Sequence, residues 1–475
     1  MVEITKELAS FCAALGMQAP PKPVQVPETV RARAALLTLD ALAIAVRAGH
    51  DGDSTPALVE GLAAAGLAPG PATVLGLGSG HGAAVAAGIN AALVHTLDFD
   101  DTHIGASIHV TAPVVPAALA AAEAVGAPGT AALRGIIAGM EVMTRLGRAL
   151  VPPRHYAKGY HPTATSGVFG ATAAACVAMG LSAEQIENAF GIALSSCGGT
   201  LQFHANGAWT KRLQVGLASE AGVRAAFLAR AGFRGAAEAI EGERGLLQVF
   251  SDAPEPGLAT AGLGTGWEVM EIGVKPYPAC RFAHAAVDAL LAMARAEGAG
   301  FAAAVTKIEI GLSRKALAAV AEPEPRKRHA ANIVDAQFSV YFLAAAALLT
   351  GGVRWDDYPG LLGRADIDAL ADRVMPWHDP QIEALYPRRM AASVRVSLAD
   401  GRKLEALVES PSGEPDSFPE PAAMIDKALT LTTPVLGAAR ARGFCDAVRG
   451  IETEQVGAML AAGLPELATR MARLG

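Results

Sequence analysis

From about residue 29 to about residue 250, apolar positions recur at the spacing of one helix face, as in Ala35, Leu36, Leu39, Leu42 and Ile44, and Gly and Pro mark the breaks. That spacing predicts a succession of helices. The pattern changes at residues 305–310, which alternate apolar and polar side chains. It changes again at 393–398, which run through Ala399-Asp400-Gly401 into a further alternating stretch at 403–408. Two alternating runs joined by Asp-Gly predict a hairpin, because Asp-Gly readily takes the backbone angles of a tight turn. The apolar run at 338–349 ends at Gly351-Gly352. It is shorter than the roughly 20 residues that span a bilayer, so it reads as a buried helix. After the Pro-rich stretch 411–421, helical spacing returns to the end of the chain.

This order predicts a mainly α protein with an α+β part. A large all-helical domain, residues 1–267 and 411–475, receives a smaller α+β lid domain, residues 268–410, inserted before its C-terminal helices. Return helices can then pack on the first bundle. A chain of 475 residues is long enough for two cores. The charged, Pro-containing run 322–329 reads as a solvated loop of the smaller domain.

Composition sharpens the picture in three ways. Hydrophobic residues make up 52% and charged residues 18%, with 51 glycines. Such a chain suits closely packed helices and buries more surface than a monomer needs, so a homo-oligomer is expected. The formal charge of −7 offers no general attraction to nucleic acid or to an anionic membrane, so an anionic substrate must be met by local Lys and Arg. The five cysteines are scattered without a CxxC, and residues 1–7 are charged and amphipathic rather than a secretory leader, which points to a reduced, cytoplasmic protein.

Four polar segments could carry chemistry. Asp98, Asp100, Asp101, Thr102 and His103, with His109 shortly after, form the densest cluster. Helix caps in a surface turn, a divalent-metal site, and an acid/base site in which Asp orients His or itself moves a proton all remain open for it. His161-Pro162-Thr163 precedes a helix of small residues and could present donors to an anion at that helix start. Lys211 and Arg212 follow a polar loop, either as solvated helix-start residues or as carboxylate binders. Lys275-Pro276-Tyr277-Pro278-Ala279-Cys280-Arg281-Phe282-Ala283-His284 is a Pro-fixed turn near the start of the inserted domain, where a cleft between domains would form. Tyr277 and Cys280 read as packing residues.

Other motifs fail. In Gly76-Leu77-Gly78-Ser79-Gly80-His81-Gly82 the third glycine of a dinucleotide fingerprint is replaced by His81, and no βαβ pattern surrounds it. Walker, HExxH and GxSxG motifs are missing.

Taken in order, LDFDDTH (97–103), GYHPTATSG (159–167), NGAWTKRLQVGLAS (206–219), KPYPACRFAH (275–284) and AQFSVYFLAAAALLTG (336–351) resemble the MmgE/PrpD family over essentially the whole chain. That family includes 2-methylcitrate dehydratase, cis-aconitate decarboxylase and iminodisuccinate epimerase. The resemblance implies a homodimer acting on a small polycarboxylate, with no metal and no organic cofactor. It maps Asp98 and Thr102 onto the family's DFDDT, His161 onto its His-Pro motif, and Lys211 and Lys275 onto its two lysines. The remaining family histidine matches His109, with His103 as the alternative. A tyrosine of the decarboxylase branch has no counterpart ahead of Phe338.

The implied chemistry is carbon-acid chemistry. Lys211 and Lys275, with Arg281, would hold carboxylates and stabilise an enolate-like intermediate, while Asp98, His109 and His161 move protons. Thr102, His103 and His284 would contact substrate. A cofactor-independent dehydratase is the leading expectation. An epimerase or a decarboxylase is the alternative within the family, and a non-catalytic polycarboxylate-binding protein the alternative outside it.

Overall fold

The computed structural model describes residues 3–16, 24–205 and 207–466. Met1 and Val2 of the N-terminal segment and Asn206 of the third polar loop lie outside the described residues. The chain forms two compact units. One comprises the residues up to Ile272 and those from Pro419 onward, and the other is Gly273–Phe418.

The first unit is built on α1 (Glu28–Asp51), α2 (Ala83–Val94), α3 (Thr111–Val125), α4 (Gly129–Ala149), α5 (Pro162–Ala178) and α6 (Thr210–Arg230). Helices α5 and α2 bury almost every side chain, so they lack the one-sided polarity of a surface helix. Small residues let them pack closely. A Cβ on Gly170 of α5 would stand 2.6 Å from Met143 Cβ and 3.0 Å from Gly139 O, both on α4, and one on Gly216 of α6 would stand 2.6 Å from Gly88 O on α2. Several of the glycines thus serve helix crossings. After Phe418 the chain returns as α7 (Pro421–Leu436), which packs along α1. Lys427 of α7 pairs with buried Asp40 of α1 at 2.7 Å and donates to Phe99 O at 3.1 Å, so the return helix holds the loop that follows α2.

The helical unit also carries a short antiparallel hairpin, β1 (Pro69–Val74) with β2 (Gly78–His81), where an all-helical domain was expected. The Gly-rich segment that fails as a dinucleotide fingerprint makes this turn. Gly76, Gly78 and Gly80 have φ of 95°, 115° and 105°, a region that glycine enters without steric cost.

In the second unit the expected strands form β3 (Val305–Leu312), β5 (Ala392–Leu398) and β6 (Lys403–Val408), and the sheet gains β4 (Val374–His378) at one edge. The order is β4-β3-β5-β6, with β3 parallel to β4 and antiparallel to β5, as in Ile308 opposite both Val374 and Val396. Strand β4 escapes the sequence pattern because Pro376 interrupts it, and an edge strand is where a sheet tolerates proline. Helices α8 (His284–Glu297) and α9 (Val340–Thr350) contribute Leu290, Phe342 and Leu343 to a core shared with Ile308, Ile310, Val394 and Val396. The run 338–349 is therefore a buried helix of this unit, as its length implied. The charged run 322–329, expected as a loop, includes the short helix Glu324–Arg328. Arg328 lies over the Tyr341 ring and donates to the carbonyls of Ala371 and Val374, which anchors the segment. Among the described residues no helix is long and apolar enough to cross a membrane.

Candidate active site

Helix α2 ends at His95, and the residues after it turn back through Asp98, whose φ of 51° lies in the left-handed region. Asparagine and aspartate tolerate that region better than other non-glycine residues, but it is still a strained backbone. The turn directs the Asp98 carboxylate to Lys211 Nζ in the first turn of α6, at 2.5 Å. Asp101 does a different job. It accepts from the Val110 and Thr111 amides, at 2.8 and 2.9 Å, and from the Thr111 hydroxyl, so it caps the start of α3 and pins His109 just ahead of that helix. Burial, with the neighbouring Asp100 charge, pushes the Asp101 carboxyl up to about 7 against the pull of those hydrogen bonds.

His109 is held from a second side, because its amide donates to Thr163 Oγ1 at 3.2 Å in the first turn of α5. One residue before α5 stands His161, whose Nδ1 lies 2.9 Å from Gln214 Oε1. Gln214 sits one turn along α6 from Lys211, and its own amide nitrogen donates to Thr200 O, which orients its oxygen toward the imidazole. Burial above all, then the nearby His95 and Lys211, holds the His161 imidazolium well below the ordinary histidine range. At neutral pH His161 is therefore uncharged and offers an unprotonated Nε2 as an acceptor.

These pieces converge. The ring of His95 stands 4.8 Å from that of His109 and 6.3 Å from that of His161. His95 Nδ1 donates to Asp100 Oδ2 at 2.6 Å, and the same oxygen lies 3.4 Å from His109 Nδ1. Thr102 Oγ1 is buried with no hydrogen-bond partner among the described residues. Of the sequence candidates, Asp98, His109, His161 and Lys211 are thus brought into one group of elements.

Other candidates are engaged elsewhere. His103 Nδ1 accepts from the Ala106 amide at 3.0 Å, and its Nε2 faces Glu268 at 3.2 Å, so the ring bridges its own turn to an acidic partner. Burial pushes Glu268 up, but the hydrogen bond and charge of His103, with Arg148 and Arg145, more than offset that and leave it below its usual range. In the second unit, Arg281 pairs with Glu414 and donates to Val274 O and to His284 Nδ1, while His284 Nε2 donates to Ala279 O at 3.1 Å. Both side chains are buried and bonded to protein groups. Lys275 is buried in the same segment of that unit.

Sequence reasoning missed His95 and Gln214 and left Asp100 within an unassigned cluster. A signal existed. Gln214 follows Lys211 by three residues, the spacing of one helical face, and His95 closes the helix just ahead of the acidic cluster. His95, Asp100 and His109 are also the one group among the described residues whose donor atoms, all within 4.8 Å, suit a metal ion. The 2.6 Å His95–Asp100 contact gives the same atoms an alternative use, a hydrogen bond between imidazole and carboxylate.

Comparison with known proteins agrees with this architecture. The MmgE/PrpD N-terminal domain matches residues 6–259 and the MmgE/PrpD C-terminal domain matches residues 277–453. The chain belongs to the MmgE/PrpD family. Among characterised relatives it is similar to cis-aconitate decarboxylase of Aspergillus terreus, 26% identical over 81% of each chain, and to a cis-aconitate decarboxylase-like protein of Aspergillus oryzae, 27% identical over 86% of each. The human cis-aconitate decarboxylase is 29% identical over 66% of each chain.

Proposed function

We propose that this chain is a lyase that acts on a small di- or tricarboxylate by building an enolate-like intermediate next to a carboxylate, without a metal or organic cofactor. The observation that supports it most is the grouping of Lys211, Asp98, His161 and His109 at the start of α3, α5 and α6. Charge that builds up on an already anionic substrate is offset by an ammonium held in place beforehand. Lys211 supplies that charge and Asp98 fixes its position. His161, kept neutral by burial, can take a proton on Nε2, and His109 stands on the other side of His95 as its partner. Thr102 has a hydroxyl to donate to a substrate oxygen. Lys275 enters this reading through its family motif, as the binder of a second carboxylate.

Two leaving groups share this intermediate. The sequence reading favours water, as in a dehydratase of a 2-methylcitrate-like hydroxy acid, because dehydratase is the commonest activity of the family it resembles; the tyrosine of the decarboxylase branch, without a counterpart ahead of Phe338, adds a little to that side. The relatives' names move carbon dioxide ahead of it, as in decarboxylation of a cis-aconitate-like acid. Proton NMR in D₂O with citrate, 2-methylcitrate, cis-aconitate and substituted succinates, with and without EDTA, tests both. Loss of carbon dioxide, loss of water or deuterium uptake that survives EDTA supports the reading and names the branch. Activity that disappears in EDTA, or silence across the panel, refutes it.

We further propose a homodimer. Trp209, Leu213, Leu217 and Leu228 are exposed along α6 and the residue ahead of it, an apolar stripe that a second copy would cover.

A further inference from the structure

We infer that Asp100 and His95 are positioning residues for His109: the Asp100 carboxylate holds the His109 ring with its proton on Nδ1, which makes Nε2 the atom that exchanges a proton with substrate. The inference rests on the acid/base reading of this site and adds to it an order of roles.

Asp100 Oδ2 faces the Nδ1 atoms of two imidazoles, His95 at 2.6 Å and His109 at 3.4 Å, and the rings meet edge to face at 4.8 Å. An ionised carboxylate only accepts, so His95 Nδ1, in hydrogen-bond contact with it, carries the proton; His109 Nδ1 stands 3.4 Å off, outside hydrogen-bond geometry, and would carry its proton once that contact closes. Exposure separates the three groups. The side chains of His95 and Asp100 are wholly buried, whereas that of His109 is 18% exposed, so His109 is the member that can meet a substrate while the other two stand behind it. The hydrogen bond goes to the buried histidine. His95 therefore fixes the carboxylate, and the carboxylate fixes His109.

The backbone supports the same arrangement. Asp101 caps α3 directly after His109, and Thr163 receives the His109 amide, so neither loop end can drift. The looser 3.4 Å contact is the one expected to tighten during turnover, since hydrogen bonds of catalytic groups are often long in the unliganded protein. When Nε2 takes a proton from a substrate C–H, the electron pair stays on the substrate as the enolate. The imidazolium then has its positive Nδ1–H facing Asp100, a charge-assisted bond. Return of that proton to carbon or to the leaving group restores the neutral ring. Other titratable groups face the trio: Asp40, paired with Lys427, and Asp101 both act on Asp100, and His161, with Lys211 and its partner Asp98 beyond it, acts on His95.

Nitrogen-15 NMR of histidine-labelled full-length protein tests the arrangement without substrate. The His109 resonances, assigned by their loss in His109→Gln, are expected to report Nδ1 protonated and Nε2 bare, and Asp100→Asn is expected to change that signature. A wild-type His109 with Nδ1 bare would overturn the proposal. With a substrate identified, Asp100→Asn is expected to lower kcat by about 10²-fold or more with KM changed only a few-fold, the pattern of a misoriented base. Unchanged kcat in a folded Asp100→Asn protein would overturn it, as would a stoichiometric metal ion lost in that variant. If wild type turns over none of the panel, the broader enzymatic reading fails, while the NMR result still decides the positioning claim.

Discussion

The Nδ1 of His161 lies 2.9 Å from the Oε1 of Gln214, one turn beyond Lys211 on the same helix. One face of α6 therefore supplies both the ammonium and the group that sets the tautomer of the neighbouring imidazole. A neutral histidine with its donor already committed can serve only as an acceptor on its second nitrogen.

Replacement of Gln214 by Glu is expected to put a negative charge beside His161 and favour its protonated form. Since burial keeps the wild-type ring neutral well below the ordinary histidine range, wild-type activity should persist as pH falls through 6. The acidic limb of kcat/KM should move to higher pH in Gln214→Glu. A pH–rate profile of both proteins checks this, and coincident limbs would remove His161 from the titrating step.

Lys211→Ala is expected to abolish turnover while circular dichroism shows a folded protein. Some stability is lost as well, because Asp98, only 7% exposed, is left without its ammonium partner. Near-normal turnover would take Lys211 out of the site.

Asp101 gives a stability prediction. Its carboxyl rises from the ordinary 3.8 to about 7 in the folded chain, first through burial and then through Asp100. The folded state therefore holds this proton more tightly than the unfolded state. The stabilisation is complete below about pH 4 and is lost as pH rises toward 7. Relative to Asp101→Asn, the thermal midpoint of wild type should fall between pH 4 and pH 8, and parallel curves would refute the assignment.

Gly170→Ala forces a Cβ to within 2.6 Å of Met143 Cβ and 3.0 Å of Gly139 O. Overpacking of this kind costs about 1–3 kcal/mol, so urea denaturation should show a lower midpoint at an unchanged slope. No change would mean that α4 and α5 part easily.

Leu217→Glu places a charge in the exposed stripe of α6. Sedimentation should show a dimer for wild type and monomer for the variant, and a wild-type monomer would refute the proposed homodimer.

Much of the candidate site was legible because its side chains come in short, dense runs. The DFDDT segment and the His-Pro and Lys-Arg motifs each name themselves in the sequence. Legibility failed where the partner of a group is remote or unremarkable. Gln214 is an ordinary helical glutamine until α5 brings His161 against it, and His95 looks like a helix-end residue until the chain reverses at Asp98. His103, Arg281 and His284 show the converse. Their residue types suit substrate binding, but Glu268, Glu414 and backbone carbonyls engage them in the fold.

By itself the sequence determined the helical character of the first unit, the strands at 305–310 and 393–408, the buried helix after Phe338 and the family. Those features depend on periodicity, turn chemistry and local motif, which act over a few residues. Only the tertiary structure decided that β4 joins the sheet despite Pro376, that the Gly-rich segment is a hairpin, and that Lys427 reaches Asp40 and the Phe99 carbonyl. It alone decided which carboxylate each histidine faces. Pairings between residues far apart in the chain follow from how helices pack, and a close approach such as Gly139 on Gly170 is set by the whole bundle rather than by either segment.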